Sequence, residues 1–440
     1  MLRTIFVVLV LTIGWGLAFR SALYAAALYL WIAYFRPESW AWSDIFSTLN
    51  LSYFAGVFLV IRTLASGVSL WPTWRSALLL LFLALTLASV ATSMDVQTSW
   101  TDWQAFAKTV IVSYLLIALI KNEADFRLIL LVIAFSLGFE ATKQGWAQLV
   151  LNPGAKNDNS IPFLGDNNVV AVGIAMLAPL FAGLARSSVG KYKRLLQFLN
   201  IGVVYRGLST YSRGGFLSFG AIAGLALLRS DKKFHALIAG LLTGALILPA
   251  LPQSFWDRMS TITAPADERD DSVDGRLHFW RVALVMANDR PFLGVGHGAY
   301  QSAYDQYDWT DGRYGRRRSV HSSWFGVLAD TGYPAFLLFL FILFSSLRTC
   351  QRVRRMAKRD EIPESLGHYG TALESSLVAF MVGGTFVPFH YVEMLWHLLA
   401  LTIALDRIAE QQAANIREQR TRESKPLIVE APAEEEFVWA

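Results

Sequence analysis

The sequence has little charge and almost no cysteine. Charged residues make up only 17% of its 440 residues, against about 25% in soluble proteins, while 54% are hydrophobic. Cys350 is the only cysteine, which excludes intrachain disulfides and zinc sites built from cysteines. Apolar stretches recur from Leu2 to Leu405, and a single soluble core stops growing at roughly 250–300 residues. The composition therefore predicts a membrane protein.

Several enzyme motifs are missing as well. The sequence contains no Walker loop, no H-E-x-x-H motif and no glycine-rich dinucleotide fingerprint after a strand. These absences argue against nucleotide hydrolysis and dinucleotide redox chemistry, and we expect no cofactor, no metal ion and no nucleic acid partner. An acidic run at 267–274 could bind a hard cation, but it lacks a D-x-D spacing and two arginines accompany it. A solvated loop is the favoured interpretation.

Apolar segments long enough to cross a bilayer predict an all-α fold, a polytopic transmembrane bundle of 12 or 13 spans. The segments lie at 4–19, 21–35, 49–63, 76–93, 105–120, 126–148, 167–185, 194–210, 213–228, 234–250, 324–347, 371–387 and 390–406. The first two are short and meet at Arg20, which leaves the count open. Because the first segment has no small-residue cleavage site, we expect a retained anchor and not a signal peptide.

Lysine and arginine residues are concentrated in three connecting segments. The largest cluster follows the span ending at 347 and consists of Arg348, Arg352, Arg354, Arg355, Lys358 and Arg359. A second cluster follows the span ending at 185 and consists of Arg186, Lys191, Lys193 and Arg194. The third follows the span ending at 228 and consists of Arg229, Lys232 and Lys233. Because cytoplasmic loops are rich in Lys and Arg, all three clusters predict the same orientation. Residues 251–323 then form one large loop on the outer side.

This outer loop is too long for a simple connection, since structureless loops beyond about 12–15 residues are usually functional or disordered. Apolar residues at helical spacing between Gly275 and Asn288, after a capping Asp274, predict an interfacial helix within it. The chain thus divides into three expected regions, which are an N-terminal transmembrane region at 1–165, a C-terminal transmembrane region at 166–406 that includes the loop 251–323, and a cytoplasmic tail at 407–440.

Four arginines lie where a positive charge is unexpected. Arg316, Arg317 and Arg318 fall on the outer side just before a span, and Arg213, in the sequence S-R-G-G, lies between two spans with almost no loop. Charges in such places often mark functional sites, and a guanidinium group matches phosphate oxygens two at a time. One interpretation is a diphosphate or a lipid headgroup as ligand. The alternatives are contacts with phospholipid or nearby aspartates for the cluster, and snorkelling for Arg213.

Histidine changes charge near neutral pH, so it is a candidate general base. His321 directly follows the arginine cluster and precedes a span, while His297 lies in the glycine-rich sequence G-V-G-H-G. Either could accept a proton, and the position beside the arginines favours His321. Lys143 lies one helical turn from Glu140, so it either pairs with that carboxylate or lines the site.

Several short motifs occur in a fixed order around the outer loop. They are F-R-P-E-S-W at 35–40, F-L-G-D-N-N at 163–168, S-R-G-G at 212–215, G-R at 275–276 with Trp280, R-P-F-L-G-V-G at 290–296, and H-S-S-W at 321–324 before Gly332. With these motifs the chain resembles the O-antigen ligase and polymerase superfamily, in particular the O-glycosylation ligases associated with exosortase A systems. The resemblance covers nearly the whole chain.

The resemblance implies a metal-independent glycosyltransferase in the bacterial inner membrane, with its active site facing the periplasm and a glycan on undecaprenyl diphosphate as donor. Arg213 and Arg276 would stabilise the diphosphate, and His321 would deprotonate the acceptor hydroxyl, whose backside attack inverts the sugar. The further residues expected to bind substrate are Arg316, Arg317, Arg318, His297, Arg281 and Lys143.

Three functions stay open at this point. A ligase attaches the glycan to a protein or lipid hydroxyl, a polymerase of the same superfamily extends the glycan on its carrier, and a transporter moves a lipid-linked solute. Transporters usually hold substrate near the bilayer midplane, whereas the informative charges here lie on one face, which disfavours transport. The subgroup resemblance favours a ligase with a protein acceptor over one with a lipid acceptor.

Overall fold

The computed structural model describes residues 2–41, 46, 48–235, 237–238, 256 and 271–423. The regular elements in these residues are helices, which confirms the predicted all-α fold. They are α1 (Leu2–Ala18), α2 (Ala22–Phe35), α3 (Pro37–Trp40), α4 (Leu51–Ala65), α5 (Trp74–Ala91), α6 (Val96–Leu119), α7 (Glu123–Leu151), α8 (Asn167–Arg186), α9 (Gly190–Leu208), α10 (Arg213–Arg229), α11 (Asp271–Asp289), α12 (Tyr300–Tyr307), α13 (Ser323–Lys358), α14 (Glu364–Gly383) and α15 (Glu393–Glu423).

Four of the described helices, α5, α6, α8 and α13, are long and apolar enough to cross a membrane, and α1, α2 and α4 are shorter apolar helices. These helices support a polytopic membrane protein. Twelve of the thirteen predicted spans fall on helices. Most of the remaining one, at 234–250, and the first part of the acidic run at 267–274 lie outside the described residues.

Small residues bring the central helices together. Gly145 of α7 meets the backbone carbonyl of Gly202 of α9 so closely that a side chain would not fit, and Gly183 of α8 packs in the same way against Ala372 of α14. In a bilayer, where apolar burial drives helices together only weakly, this close approach is a main source of association. Helix α8 lies at the centre and contacts α9, α10 and α14.

Helix α13 is interrupted at Gly332, whose φ of +74° and ψ of −178° are not helical. The carbonyls of Ala329 and Asp330, freed by this break, accept hydrogen bonds from Val295 at 2.9 Å and Gly296 at 3.1 Å. Irregular backbone is tolerated at membrane depth only where protein or water satisfies its polar groups. The motif R-P-F-L-G-V-G therefore has a structural explanation, because its loop covers the break.

Helices α11 and α12 form a small outer unit with its own apolar core, which includes Phe279, Val282 and Tyr304. The helix predicted at 275–288 is confirmed, but it begins at Asp271, so the interpretation of Asp274 as its cap is wrong. The dipole favours an acidic residue such as Asp274 anywhere near a helix N-terminus, so its place in the sequence did not show whether it is the cap.

The bundle has two chemically different ends. Helices α8, α10 and α13 begin at the same end, which we call the site end. Their C-terminal residues, among them Arg186, Arg229 and Lys358, lie together at the opposite end around a cavity of about 1050 Å³. We call this the basic end, and it gathers members of all three lysine and arginine clusters used to predict the orientation.

Candidate functional site

The N-terminal ends of α8 and α10 are joined by hydrogen bonds at the site end. Ser212 caps α10, and its hydroxyl donates to the side-chain carbonyl of Asn168 at 2.9 Å. The side-chain amide of Asn167 donates to the backbone carbonyl of Thr210 at 3.0 Å. These bonds fix the start of α10, and with it Arg213, against the start of α8.

The start of α13 is held by the segment that connects α14 to α15. The Ser323 hydroxyl donates to the carbonyl of Val387 at 2.8 Å, and the Trp324 indole N–H donates to the Thr385 hydroxyl at 3.1 Å. Phe386 of the same segment packs against Gly214 of α10, where a Cβ would lie 3.3 Å from it. The starts of α10 and α13 therefore both contact this segment, and a helix N-terminus contributes partial positive charge that favours an anion.

His321 lies two residues before α13 and is half-buried. Its φ of +48° is in the left-handed region, which is uncommon for a residue with a side chain. Burial lowers the pKa of His321 below its usual 6.5, and the positive charges of Arg276 and Arg318 lower it further, while the charge of Asp166 acts in the opposite direction. At neutral pH the imidazole is therefore neutral and able to accept a proton.

Arg276 reaches this region from the outer unit. It lies near the start of α11, close enough to His321 to act on its pKa. One turn later, Trp280 stacks on Phe325 of α13 with ring centroids 5.3 Å apart. The ring centroids of Trp280 and Phe386 are 6.5 Å apart. Because Phe386 also packs against the residue after Arg213, the structure places Arg213, Arg276 and His321 at the same end of the bundle.

The three consecutive arginines differ in their surroundings. The Arg318 guanidinium lies 5.4 Å from the centre of the Phe279 ring, beside His321. The backbone N–H of Arg317 donates to Asp305 at 2.7 Å, and the Arg317 side chain is exposed. Arg316 and Arg318 are exposed as well. Of the three, Arg318 is the one whose charge the structure brings to His321.

The other expected substrate-binding residues are not among the charges that shift the pKa of His321. His297 is wholly buried, with its ring 4.1 Å from that of Tyr391, and burial lowers its pKa to about 3. The Lys143 Nζ atom is 2.5 Å from a carboxylate oxygen of Glu140, so of the two interpretations of Lys143 the ion pair with Glu140 is the one the structure shows. Arg281 is on the exposed face of α11. Since the His297 imidazole is enclosed by protein, this position favours a packing role over contact with a substrate.

Two residues near the site escaped the sequence reasoning. Asp166 lies close enough to His321 to act on its pKa, but it occurs in a motif with no assigned chemistry. Arg206 is wholly buried in α9 and donates hydrogen bonds to Gln144 at 2.8 Å and to the carbonyl of Asn159 at 2.5 Å. A charge inside the predicted span at 194–210 was the signal that could have identified Arg206.

The arrangement combines fixed positive charge with a neutral base. Guanidinium groups and helix N-termini can stabilise an anionic leaving group, and His321 can remove a proton from a hydroxyl beside it. His, Cys, Asp and Glu side chains form no group of three or more suited to a metal ion in the part of the chain that the structure describes.

Comparison with known proteins identifies two matching families. Residues 198–340, which include Arg213, Arg276 and His321, match a family described as O-Antigen ligase, and residues 1–178 match a family of unknown function, DUF5935. The chain is 22% identical over 144 residues to the exopolysaccharide production protein ExoQ of Rhizobium meliloti (strain 1021), an alignment covering 32% of this chain and 33% of that protein. The chain thus matches about a third of the length of this curated relative. These matches confirm the predicted resemblance to the O-antigen ligase and polymerase superfamily. The part of the chain that matches the O-Antigen ligase family is residues 198–340.

Proposed function

We propose that the protein transfers a glycan from undecaprenyl diphosphate to an acceptor hydroxyl on the periplasmic face of the bacterial inner membrane. One observation carries the proposal: a neutral, half-buried histidine lies beside guanidinium groups at the site end. The O-antigen ligase family match over residues 198–340 supports the same assignment. The transfer is metal-independent and inverts the configuration of the sugar.

Positive charge drives departure of the leaving group. The diphosphate develops negative charge as its bond to the anomeric carbon breaks, and fixed donors aimed at that charge stabilise the transition state. Arg213 and Arg276 bind the diphosphate, because their planar guanidinium groups match its oxygens in pairs. Arg318, which also acts on His321, adds a third charge. The exposed Arg281, Arg316 and Arg317 attract the anionic donor to the outer leaflet.

His321 acts as the general base. It takes the proton of the acceptor hydroxyl while that oxygen attacks the anomeric carbon from the face opposite the diphosphate. Backside attack of this kind inverts the sugar. A positioned base is worth about 10²- to 10⁴-fold in rate, and its pKa should lie near or below the working pH so that the neutral form predominates.

The basic end faces the cytoplasm in this proposal, since Lys and Arg are retained on that side. The site end and the outer unit of α11 and α12 then lie in the periplasm, at the depth of the outer headgroups. Residues 1–165 form the N-terminal transmembrane region, 166–406 the region that holds the site, and 407–440 the cytoplasmic tail.

Polymerisation of the glycan is the second candidate. The observation that favours it is the similarity to a protein named for exopolysaccharide production. Both reactions use the same donor chemistry at the diphosphate and differ in the acceptor, which is a protein or lipid hydroxyl for a ligase and another carrier-linked glycan for a polymerase. The sequence motifs at 35–40 and 163–168 favour the ligase with a protein acceptor.

The test uses the purified full-length protein in lipid nanodiscs containing EDTA, with an undecaprenyl-diphosphate glycan and candidate protein, lipid and carrier-linked acceptors. We expect product with wild-type protein and none above background with His321→Ala or Arg276→Lys. His368→Ala, at a half-buried histidine of the basic end, is the matched control and should retain activity. Wild-type transfer by both site variants would refute the assignment, and product only after adding a divalent cation would refute the metal-independent mechanism.

A further inference from the structure

Phe279 connects the outer unit to the segment that carries Arg318 and His321. Its side chain is 3% exposed and belongs to the apolar core of the outer unit. The Arg318 guanidinium lies 5.4 Å from the centre of the Phe279 ring. The ring of His321 lies 6.1 Å from the same ring between centroids, with an angle of 37° between the two planes. One buried ring therefore meets both the proposed base and an arginine beside it.

The position of the Phe279 ring is set by the outer unit itself. The Tyr300 hydroxyl donates to the Phe279 carbonyl at 2.8 Å. The ring packs edge to face against Tyr304 and Tyr314, with centroids 5.7 Å and 6.3 Å apart. One turn earlier on α11, a Cβ at Gly275 would lie only 3.3 Å from the ring, so the glycine of the motif G-R leaves room for it.

The segment that carries the functional side chains depends on outside support. Arg317 and His321 both have a φ of +48°, in the left-handed region that residues with side chains adopt at a cost in free energy. Such a backbone persists only where the surrounding structure holds it. The Gln301 side-chain amide donates to the Arg317 carbonyl at 2.8 Å, and Val320 is buried in the core of the outer unit. These contacts hold the backbone against the outer unit, beside Phe279.

Arg318 needs a partner that fixes its guanidinium. The side chain is exposed, and a long exposed side chain samples many rotamers. The face of an aromatic ring attracts a guanidinium group through its quadrupole, and this attraction favours the rotamer over Phe279. Because the His321 imidazole lies against the same ring, the ring sets the spacing between base and cation.

We propose that Phe279 is a positioning residue for glycan transfer, whose ring holds the His321 imidazole and the Arg318 guanidinium in a fixed relation to each other. The inference rests on the proposed function. Phe279 exchanges no proton and forms no bond in the reaction. It acts through His321, which takes the proton of the acceptor hydroxyl, and through Arg318, which faces the departing diphosphate.

The first test is Phe279→Leu in the transfer assay. Leucine keeps the core of the outer unit apolar and largely filled, but it removes the aromatic ring. We expect kcat to fall by about 10- to 100-fold, since a misplacement on the order of 1 Å costs up to about 100-fold. KM for the donor should change little, because Arg213 and Arg276 remain to bind the diphosphate. A wild-type kcat would contradict the positioning role.

The pH dependence separates positioning from general damage. The charges that act on His321 are those of Arg276, Arg318 and Asp166, and burial and the two arginines lower its pKa. In Phe279→Leu the Arg318 side chain turns toward solvent, so its charge acts less on the imidazole. The pKa of His321 then rises, and the acidic limb of the pH–rate profile moves to higher pH. A lower rate with an unchanged limb would indicate structural damage and overturn the inference.

Met286→Ala is the matched control, because Met286 is wholly buried in the same core and on the same helix. The cavity it leaves should lower the melting temperature, while the folded fraction keeps the wild-type kcat and acidic limb. Phe279→Met fills a similar volume without a ring and replaces Phe279→Leu in the assays if that variant does not fold.

A double variant tests the contact between the ring and the arginine. Phe279→Leu and Arg318→Gln both remove it, so combining them should cost less in kcat than the product of the two single losses. Losses that multiply in full would show that the two side chains act independently, against the proposal.

A measurement that does not need activity completes the design. The ring current of Phe279 shifts the NMR signals of the nearby His321 imidazole protons, so these signals should change in Phe279→Leu and stay in place in Met286→Ala. If His321→Ala is inactive but Phe279→Leu keeps the wild-type kcat, limb and His321 signals, the role of Phe279 is wrong and the proposed function stands. If His321→Ala retains full transfer, the proposed function fails, and this inference fails with it.

Discussion

The two ends of the bundle use positive charge in opposite ways. At the basic end the buried carboxylate of Glu374 lies 2.6 Å from Arg229 and 3.9 Å from Arg354, so cations there have close acidic partners. At the site end Arg276 and Arg318 approach a histidine and oppose its protonation. The first arrangement neutralises charge and joins helices, whereas the second gathers like charges.

Gathering like charges costs free energy in the absence of a ligand. An anion with two or more charges, such as a diphosphate, relieves that cost when it binds. We therefore expect ligand binding to stabilise the site end. At the basic end, Arg229 and Arg354 already have the Glu374 carboxylate as a partner within the fold. Substitutions at the two ends should therefore separate activity from stability.

Among the substitutions that compare the two ends of one helix, the larger effect on the rate is expected for Arg213→Ala at the N-terminal end of α10. Loss of a charged donor to a developing anion lowers the rate by about 10²- to 10³-fold. Because Arg213 is half-buried at the start of its helix, we expect little change in the melting temperature. The measurement is the initial rate of glycan transfer at saturating donor. An unchanged rate would remove Arg213 from the site and leave Arg276 as the diphosphate ligand.

Arg229→Ala, at the other end of the same helix, is the matched variant and should give the reverse result. It leaves the buried Glu374 carboxylate without its closest partner, and breaking a buried pair in this way destabilises a protein by about 3 kcal/mol. A thermal melt in detergent checks the loss, and the folded fraction should transfer glycan at the wild-type rate. A stable but inactive variant would contradict the division between the two ends.

The sequence predicts the fold better than it predicts the contacts within the site. Apolar length sufficed for the helices, because it follows from local composition, whereas the orientation that the three basic clusters predict stays a prediction. The superfamily also follows from local motifs, and the match to residues 198–340 confirms it. The roles of Arg213, Arg276 and His321 stay predictions, since function is not read from position alone.

What the sequence missed depends on distant contacts. Asp166 and His321 are 155 positions apart in the chain, and no local sequence pattern indicates that their charges interact. The interpretation of Asp274 as a cap was wrong because helix ends depend on single hydrogen bonds that composition does not specify. Lys143 shows the reverse case, since its pairing with Glu140 follows from helical spacing alone.

The smallest predicted effect concerns the uncharged bonds that shape the site end. Ser212→Ala removes the cap of α10 and the hydrogen bond to Asn168, which should lower stability by about 1 kcal/mol. The transfer rate should fall only a few fold, because the charges that bind the diphosphate remain and only the start of the helix loosens. Ser230→Ala is the control, since its hydroxyl accepts a single bond from the N–H of Lys232 at the basic end. If both variants were equally stable and equally active, the hydrogen bonds between α8 and α10 would not be what fixes Arg213, and the packing of Gly215 against Ala171 would have to hold the helix start instead.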